Sequence, residues 1–284
     1  MADETPSISA LTTDRGRPIG NSLGDDNRGR AHVKVANTGS EPVPVTDAFP
    51  TSFWNVKGAN PEVDSSLDEL VIDQGGNIYA YPTSAVTLSA VSSNANDTSA
   101  GSGARSIVIE GLVDNGGSWD MDTETIAMNG TTPVNTTKSF IRFLNAYVLT
   151  AGSSAQNQGI IDISNGGNIL GEIRTGENET FLGMFTIPSG YQGRIKRIGA
   201  SILPTLNASG IKEGALTVLW RSNGFVFRPL SSRIAINSRG DTKSNLEFDS
   251  PMILSAKTDI QTRFTAYNNN TRVFLNFSVL LEAV

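Results

Sequence analysis

The chain has no cysteine among its 284 residues and a single histidine, His32. Without thiols there is no disulfide framework, no thiolate zinc site and no cysteine nucleophile. Secreted chains of this size commonly carry disulfides, so a chain made in a reducing cytoplasm is expected. The single histidine lies in a polar N-terminal stretch, so histidine-based acid–base chemistry would require the stretch to reach a cleft. No serine sits in Gly-x-Ser-x-Gly, and no glycine loop ends in Gly-Lys-Ser or Gly-Lys-Thr. Long apolar runs are also missing: no segment is long enough to cross a bilayer, and the opening MADETPSISALTTDRGRP lacks the apolar core of a secretory signal. No membrane partner is expected, and export would proceed by lysis or another route. The net charge of −6 and pI near 4.9 do not favour a polyanion, so no nucleic-acid partner is expected either.

What is present is an apolar fraction of 38%, enough for a real core, arranged without any long amphipathic helical pattern. From Leu67 onward, short apolar-alternating runs are separated by Gly, Asn, Asp and Ser clusters. Asn115-Gly116-Gly117, Asn165-Gly166-Gly167 and Asn223-Gly224 match hairpin turns that need positive φ. This spacing predicts an all-β, antiparallel sandwich or jelly-roll-like fold, with one β-lobe over 51–152 and a second over 153–284. The polar gap Ala151 to Gln158 is either the linker between lobes or a long loop within one sandwich. Residues 91–103, with SSNANDTSAGSG at their core, are expected as an exposed loop.

The hydrophobic centre falls at Met121 to Leu149. It reads as two antiparallel strands joined by a turn at Asn129-Gly130 and Pro133, the second strand covered on both faces. Period-2 alternation puts Phe140, Arg142, Leu144 and Ala146 on one side and Ile141, Phe143 and Tyr147 on the other.

Residues 1–50 are rich in Gly, Pro, Asn, Asp and Arg, with Arg15, Arg17, Arg28 and Arg30 prominent and His32 to Val35 the one strand-like piece. Two readings stand: a trailing terminus, or an extended arm that orders only against a neighbouring subunit. Pro42 and Pro44 force extended backbone. Phe49, Phe53 and Trp54 then read as the anchor of the arm to a core, and with the four arginines they are the candidate assembly contacts.

For chemistry, Asp120, Asp122 and Glu124 alternate and share one strand face. They fit a cation site or a glycosidase pair, or a charged solvent face that protects a strand edge, the reading preferred in the absence of a convergent partner. In Gly193 to Ile198, Arg194 and Lys196 share a face while Arg197 lies with Ile195 on the other. The charge is then unfocused and suits a solvated surface or an intersubunit salt-bridge face. Trp119, Trp220, Tyr79 and Tyr81 are the aromatic rings available to stack on a host glycan. No catalytic residue, cofactor or metal is assigned.

Two blocks carry a resemblance. The pattern IVIEGLVDNGG followed by TETIAMNGTTPVNTTKSFIRFLNAYV, within Ser106 to Val148, resembles a segment of virion structural proteins of tailed bacteriophages, the short-tailed marine and freshwater type. Phe185 to Tyr191, Lys257 to Ile260 and Asn270 to Val273 are similar to the C-terminal half of the same proteins. The resemblance implies a non-enzymatic virion protein on the capsid, neck or tail, made in the host bacterial cytoplasm. A homo-oligomer, with a trimer preferred, and contacts with other phage virion proteins follow from it. Host-glycan or receptor binding is the alternative, and a sugar-cleaving spike a third.

Overall fold

The computed structural model describes residues 24–25, 31–32, 51–65, 68–76, 78–205, 208–230, 233–238 and 243–284. By its contacts the chain forms two units, Met1–Pro50 and Thr51–Val284. In the first, β1 (Gly24–Asp25) pairs antiparallel with β2 (Ala31–His32). Arg15, Arg17, Arg28, Arg30 and Phe49 lie outside the described residues.

The second unit is built from β3 (Thr51–Val63), β4 (Asp68–Leu70), β5 (Val86–Ser92), β6 (Ala104–Asn115), β7 (Ser118–Ala127), β8 (Val134–Ala151), β9 (Ile161–Asn165) and β10 (Asn168–Ile173). It continues with β11 (Met184–Thr186), β12 (Tyr191–Pro204), β13 (Glu213–Ser222), β14 (Arg228–Pro229), β15 (Ile234–Asn237), β16 (Lys243–Leu254), β17 (Thr258–Ala266) and β18 (Thr271–Ala283). All pairs are antiparallel, so the fold is all-β, in sheets that pack as sandwiches around two hydrophobic cores. One six-stranded sheet runs β10-β9-β5-β8-β6-β7; a second holds β11-β17-β13-β14 with β15 and β4 attached; a four-stranded sheet runs β16-β12-β18-β3.

Turn chemistry explains the local hairpins. Gly116 and Gly117 have φ of 63° and 96°, and Gly166 and Gly167 have 50° and 99°, the left-handed pair that a two-residue hairpin loop requires. These loops close β6 onto β7 and β9 onto β10.

Long-range pairing divides the chain differently from a boundary at 152. Strand β3 pairs with β18 and β4 with β17, so residues 51–70 belong to the sheets of the C-terminal half. Strands β9 and β10, beyond 152, extend the sheet of β5 to β8. The polar gap after Ala151 is a fixed loop within that sheet. Asn157, fully buried, donates through Nδ2 to the carbonyls of Gly159, Ile173 and Arg174 and exchanges bonds with Asn178. Residues 91–103 are likewise built rather than loose. Asp97 is buried, and its carboxylate accepts from the N–H groups of Ala104, Gln158 and Gly159 and from the Ser92 hydroxyl.

The central hairpin also needs correcting. The turn after Asn129 forms, but β6 lies between β7 and β8 in the sheet, so no backbone ladder joins the two. Among the bulges of β8 against β6, two lie at its centre: Leu144 and Ile141 fall outside the register Asn145↔Glu110, Phe143↔Gly111, Arg142↔Leu112, Phe140↔Val113. Strict alternation is thereby broken. Phe140, Phe143 and Ala146 enter one core with Ile107 and Ile109, while Ile141 and Leu144 enter the other. Strand β8 is covered on both faces, as its composition predicts. Gly111 permits the kink: a Cβ there would lie 2.4 Å from the Arg142 carbonyl and 2.6 Å from the Phe140 ring.

Candidate functional site

The sandwich of β12, β18 and β3 over β13 and β17 buries alternate residues of each strand, and the rows between them form the outer face of the four-stranded sheet. On β18 the residues Val273, Leu275, Phe277, Val279 and Leu281 are buried, leaving Phe274, Asn276, Ser278 and Leu280 on the outer side. On β12 the pattern changes at a bulge. Ile195 faces Val279, but Ile198 faces Phe277, so β12 holds one extra residue. Opposite it, β16 jumps from Met252 to Glu247 through a stretch containing Pro251, which has no N–H to give the ladder.

The bulge decides where the charge goes. Ile195 and Ile198 are both fully buried, and the two residues between them, Lys196 and Arg197, are both exposed on the outer face. This corrects the period-2 expectation that Arg197 shares a side with Ile195. Arg194, on the same face, is held by Glu282 at 2.6 Å, which keeps that carboxyl below its usual range. Lys196 and Arg197 have no ion pair among the described residues.

Around these cations the face is apolar and dented. Phe53 on β3 is 72% exposed and Ile253 on β16 is 54% exposed. A hollow of about 440 Å³ lies between Phe53, Lys196, Pro251 and Leu280. A second, of about 500 Å³, lies over Gly199, with Arg197, Ser201, Asn245, Asn276 and Phe274 around it. Gly199 forms its floor because a Cβ there would stand 2.7 Å from the Asn276 amide oxygen. Trp54, one residue from Phe53, turns inward and sets its ring 5.5 Å from that of Phe185. The structure therefore splits the predicted pair: Trp54 anchors to the core, while Phe53 stands on the surface.

The acidic trio lies elsewhere and is engaged. Asp120, Asp122 and Glu124 share a strand face with Ile126, on the side of β7 whose cross-strand neighbours Ile109 and Phe143 are core residues. They are half-buried at its rim rather than on an open solvent face, the side taken by Met121, Thr123 and Thr125. Asp120 accepts from Asn115 and Ser118, and these bonds lower its pKa. Asp122 pairs with Lys138 at 2.6 Å and is lowered chiefly by that bond. Burial pushes Glu124 up, but the backbone N–H groups of Thr137 and Lys138 outweigh it and hold it low. Glu124 thus ties β7 to β8 where the ladder does not. No cluster of three metal-ligating side chains occurs among the described residues.

The aromatic candidates are also committed. Trp119 is buried beneath the Arg142 guanidinium, 4.5 Å from its ring centre. Tyr79 and Tyr81 meet edge to face at 4.7 Å, and Tyr81 lies under Arg221 at 4.4 Å. Burial raises the pKa of both phenols. Trp220 is half-buried against the sandwich core. Trp119, Tyr79 and Tyr81 thus have ring or guanidinium partners, while Trp220 lines a surface hollow of about 160 Å³ with Arg221, Phe225 and Arg228.

No family model matches the chain, and no curated protein matches it. Among solved structures, the chain is similar at 11% identity to the crystal structure of the infectious bursal disease virus VP2 subviral particle, over 84% of this chain and 78% of that one. The TM-score is 0.19, too low for the likeness to carry an argument about either fold or role.

Proposed function

We propose that the chain is a non-enzymatic structural subunit of a bacteriophage particle, assembling with copies of itself into a trimer attached to the capsid, neck or tail. The observation that carries this reading is the outer face of the four-stranded sheet. Exposed Phe53 and Ile253 stand there beside two cations, without an ion pair among the described residues, that a bulge has turned to the same side. A mixed apolar and basic face of this kind is worth burying against another macromolecule and costly to leave wet. The phage-like blocks within Ser106 to Val148 and Phe185 to Val273 supply the particle context. Residues 1–50 serve as the assembly arm, whose ordering entropy must be offset by a large contact surface.

Limited proteolysis of the free subunit and of purified particles tests this. The reading expects residues 1–50 to be cut quickly in the free subunit and to be protected in particles that contain the chain. Equal cutting in both, or particles from which the chain is absent, would overturn it.

A further inference from the structure

Building on that assembly reading, we propose that the basic outer face of the four-stranded sheet docks the acidic β9–β10 hairpin of a second copy of the chain, through Lys196 and Arg197 on one copy and Asp162 and Glu172 on the other.

The acidic side is a charge arrangement that the isolated fold does not resolve. Asp162 and Glu172 lie directly opposite each other in the β9–β10 ladder. Like charges in that position are destabilising. Their neighbours Ile161, Ile163 and Ile173 are fully buried, so both carboxylates project from the outer side of the hairpin. Neither accepts a hydrogen bond or an ion pair among the described residues. Burial raises both, Asp162 raises Glu172 further, and Arg174 only partly opposes this. The pair is therefore half-desolvated and uncompensated, and a cationic surface would relieve it.

The basic side is complementary. Residues 86–173 carry eight carboxylates and three cations, whereas residues 184–284 carry twelve cations and six carboxylates. A chain so divided attracts a copy of itself head to tail. Among the described side chains, the charges facing Lys196 and Arg197 from neighbouring strands are Arg194, already paired with Glu282, and Glu247, opposite Arg197 in the ladder but forming no ion pair with it. The size is also adequate. Strands of 12, 14, 13 and 13 residues, at about 3.3 Å per residue and about 4.8 Å apart, give a face of roughly 800 Å², wide enough to seat the whole outer side of a hairpin whose strands have 5 and 6 residues. Contact between unlike patches is heterologous and closes into a ring when the rotation per copy divides a full turn, as in a trimer.

Sedimentation velocity on the full chain tests the proposal. Wild type should be oligomeric at low salt, about 0.05 M, and dissociate toward about 0.5 M. Lys196→Glu with Arg197→Glu, or Asp162→Lys with Glu172→Lys, should each raise the dissociation constant about tenfold or more, and an equimolar mixture of the two should recover association between unlike copies, as mixed dimers or alternating chains rather than the closed trimer, because a ring of three cannot alternate. Glu172→Lys alone separates docking from folding, because it creates a cross-strand ion pair with Asp162. It should raise the melting temperature while weakening association. A monomeric wild type, unchanged association in both double variants, or a mixture that stays monomeric would overturn the proposal. So would an oligomeric Lys196→Glu/Arg197→Glu variant that loses only its binding to an acidic polysaccharide resin, which would make the face a glycan site. In every one of these cases except a monomeric wild type, the particle reading survives.

Discussion

Arg142 on β8 and Asp259 on β17 meet as a buried pair, Nε to Oδ1 at 2.8 Å and Nη2 to Oδ2 at 3.1 Å, between the β5–β10 sheet and the sheet of β13 and β17. Arg221 adds a second guanidinium at 2.9 Å, and the Thr186 hydroxyl donates at 2.8 Å. Arg142 also donates to the carbonyls of Pro82 and Ile141, so its valences are filled from several elements.

This arrangement makes the two ends of the pair unequal. Asp259→Ala strands two guanidiniums, one of them fully buried, and should cost about 3–5 kcal/mol. Arg142→Met leaves Asp259 with Arg221 and Thr186 and should cost clearly less. Guanidinium chloride midpoints measure both, and equal losses would show that Arg221 does not share the load.

Asp73 should give the protein a stability that falls with pH. Burial pushes its carboxyl from 3.8 up to about 9, against the bond it accepts from the Phe181 N–H. Glu177 and Glu172 push it further in the same direction, and Arg174 opposes them. Its Oδ1 has no partner among the described residues. A raised acid holds its proton in the folded state and loses it on unfolding, so its contribution is complete below about pH 4 and is lost as pH rises through about 9. The slope should be no more than about 1.4 kcal/mol per pH unit. Asp73→Asn should flatten it and melt higher at pH 8; thermal melts from pH 5 to pH 8 check this.

Asp97→Ala should remove the acceptor shared by three backbone N–H groups and the Ser92 hydroxyl. Each buried donor left without a partner costs about 1–3 kcal/mol, so a loss of several kcal/mol is expected. Hydrogen exchange at Ala104, Gln158 and Gly159 should accelerate together. Acceleration at one of them alone would contradict a common anchor.

Strand content and hairpin turns were legible because alternation and Asn-Gly pairs are local signals. The inserted residues at Ile141, Leu144 and Lys196-Arg197 were not, since a bulge has no compositional marker and period-2 counting runs straight through it. Pro251, which cannot donate to a ladder, was the one local sign near the bulge in β12. The pairing of β3 with β18 spans most of the chain and has no local signature. Asp97 and Asn157 looked like loop polarity because residue type alone does not reveal that every acceptor or donor is met inside the fold. Phe53 and Trp54 were both expected to anchor to a core, and which of them faced out depended on the strand's register.

Hydroxyl-radical footprinting of the full chain at low and high concentration tests the central claim most directly. If the outer face of the four-stranded sheet is the assembly surface, Phe53 and Ile253 lose labelling as the oligomer forms, while Phe225, 64% exposed on the turn after β13, keeps it. Oligomers in which Phe53 and Ile253 label as in the free subunit would contradict the account.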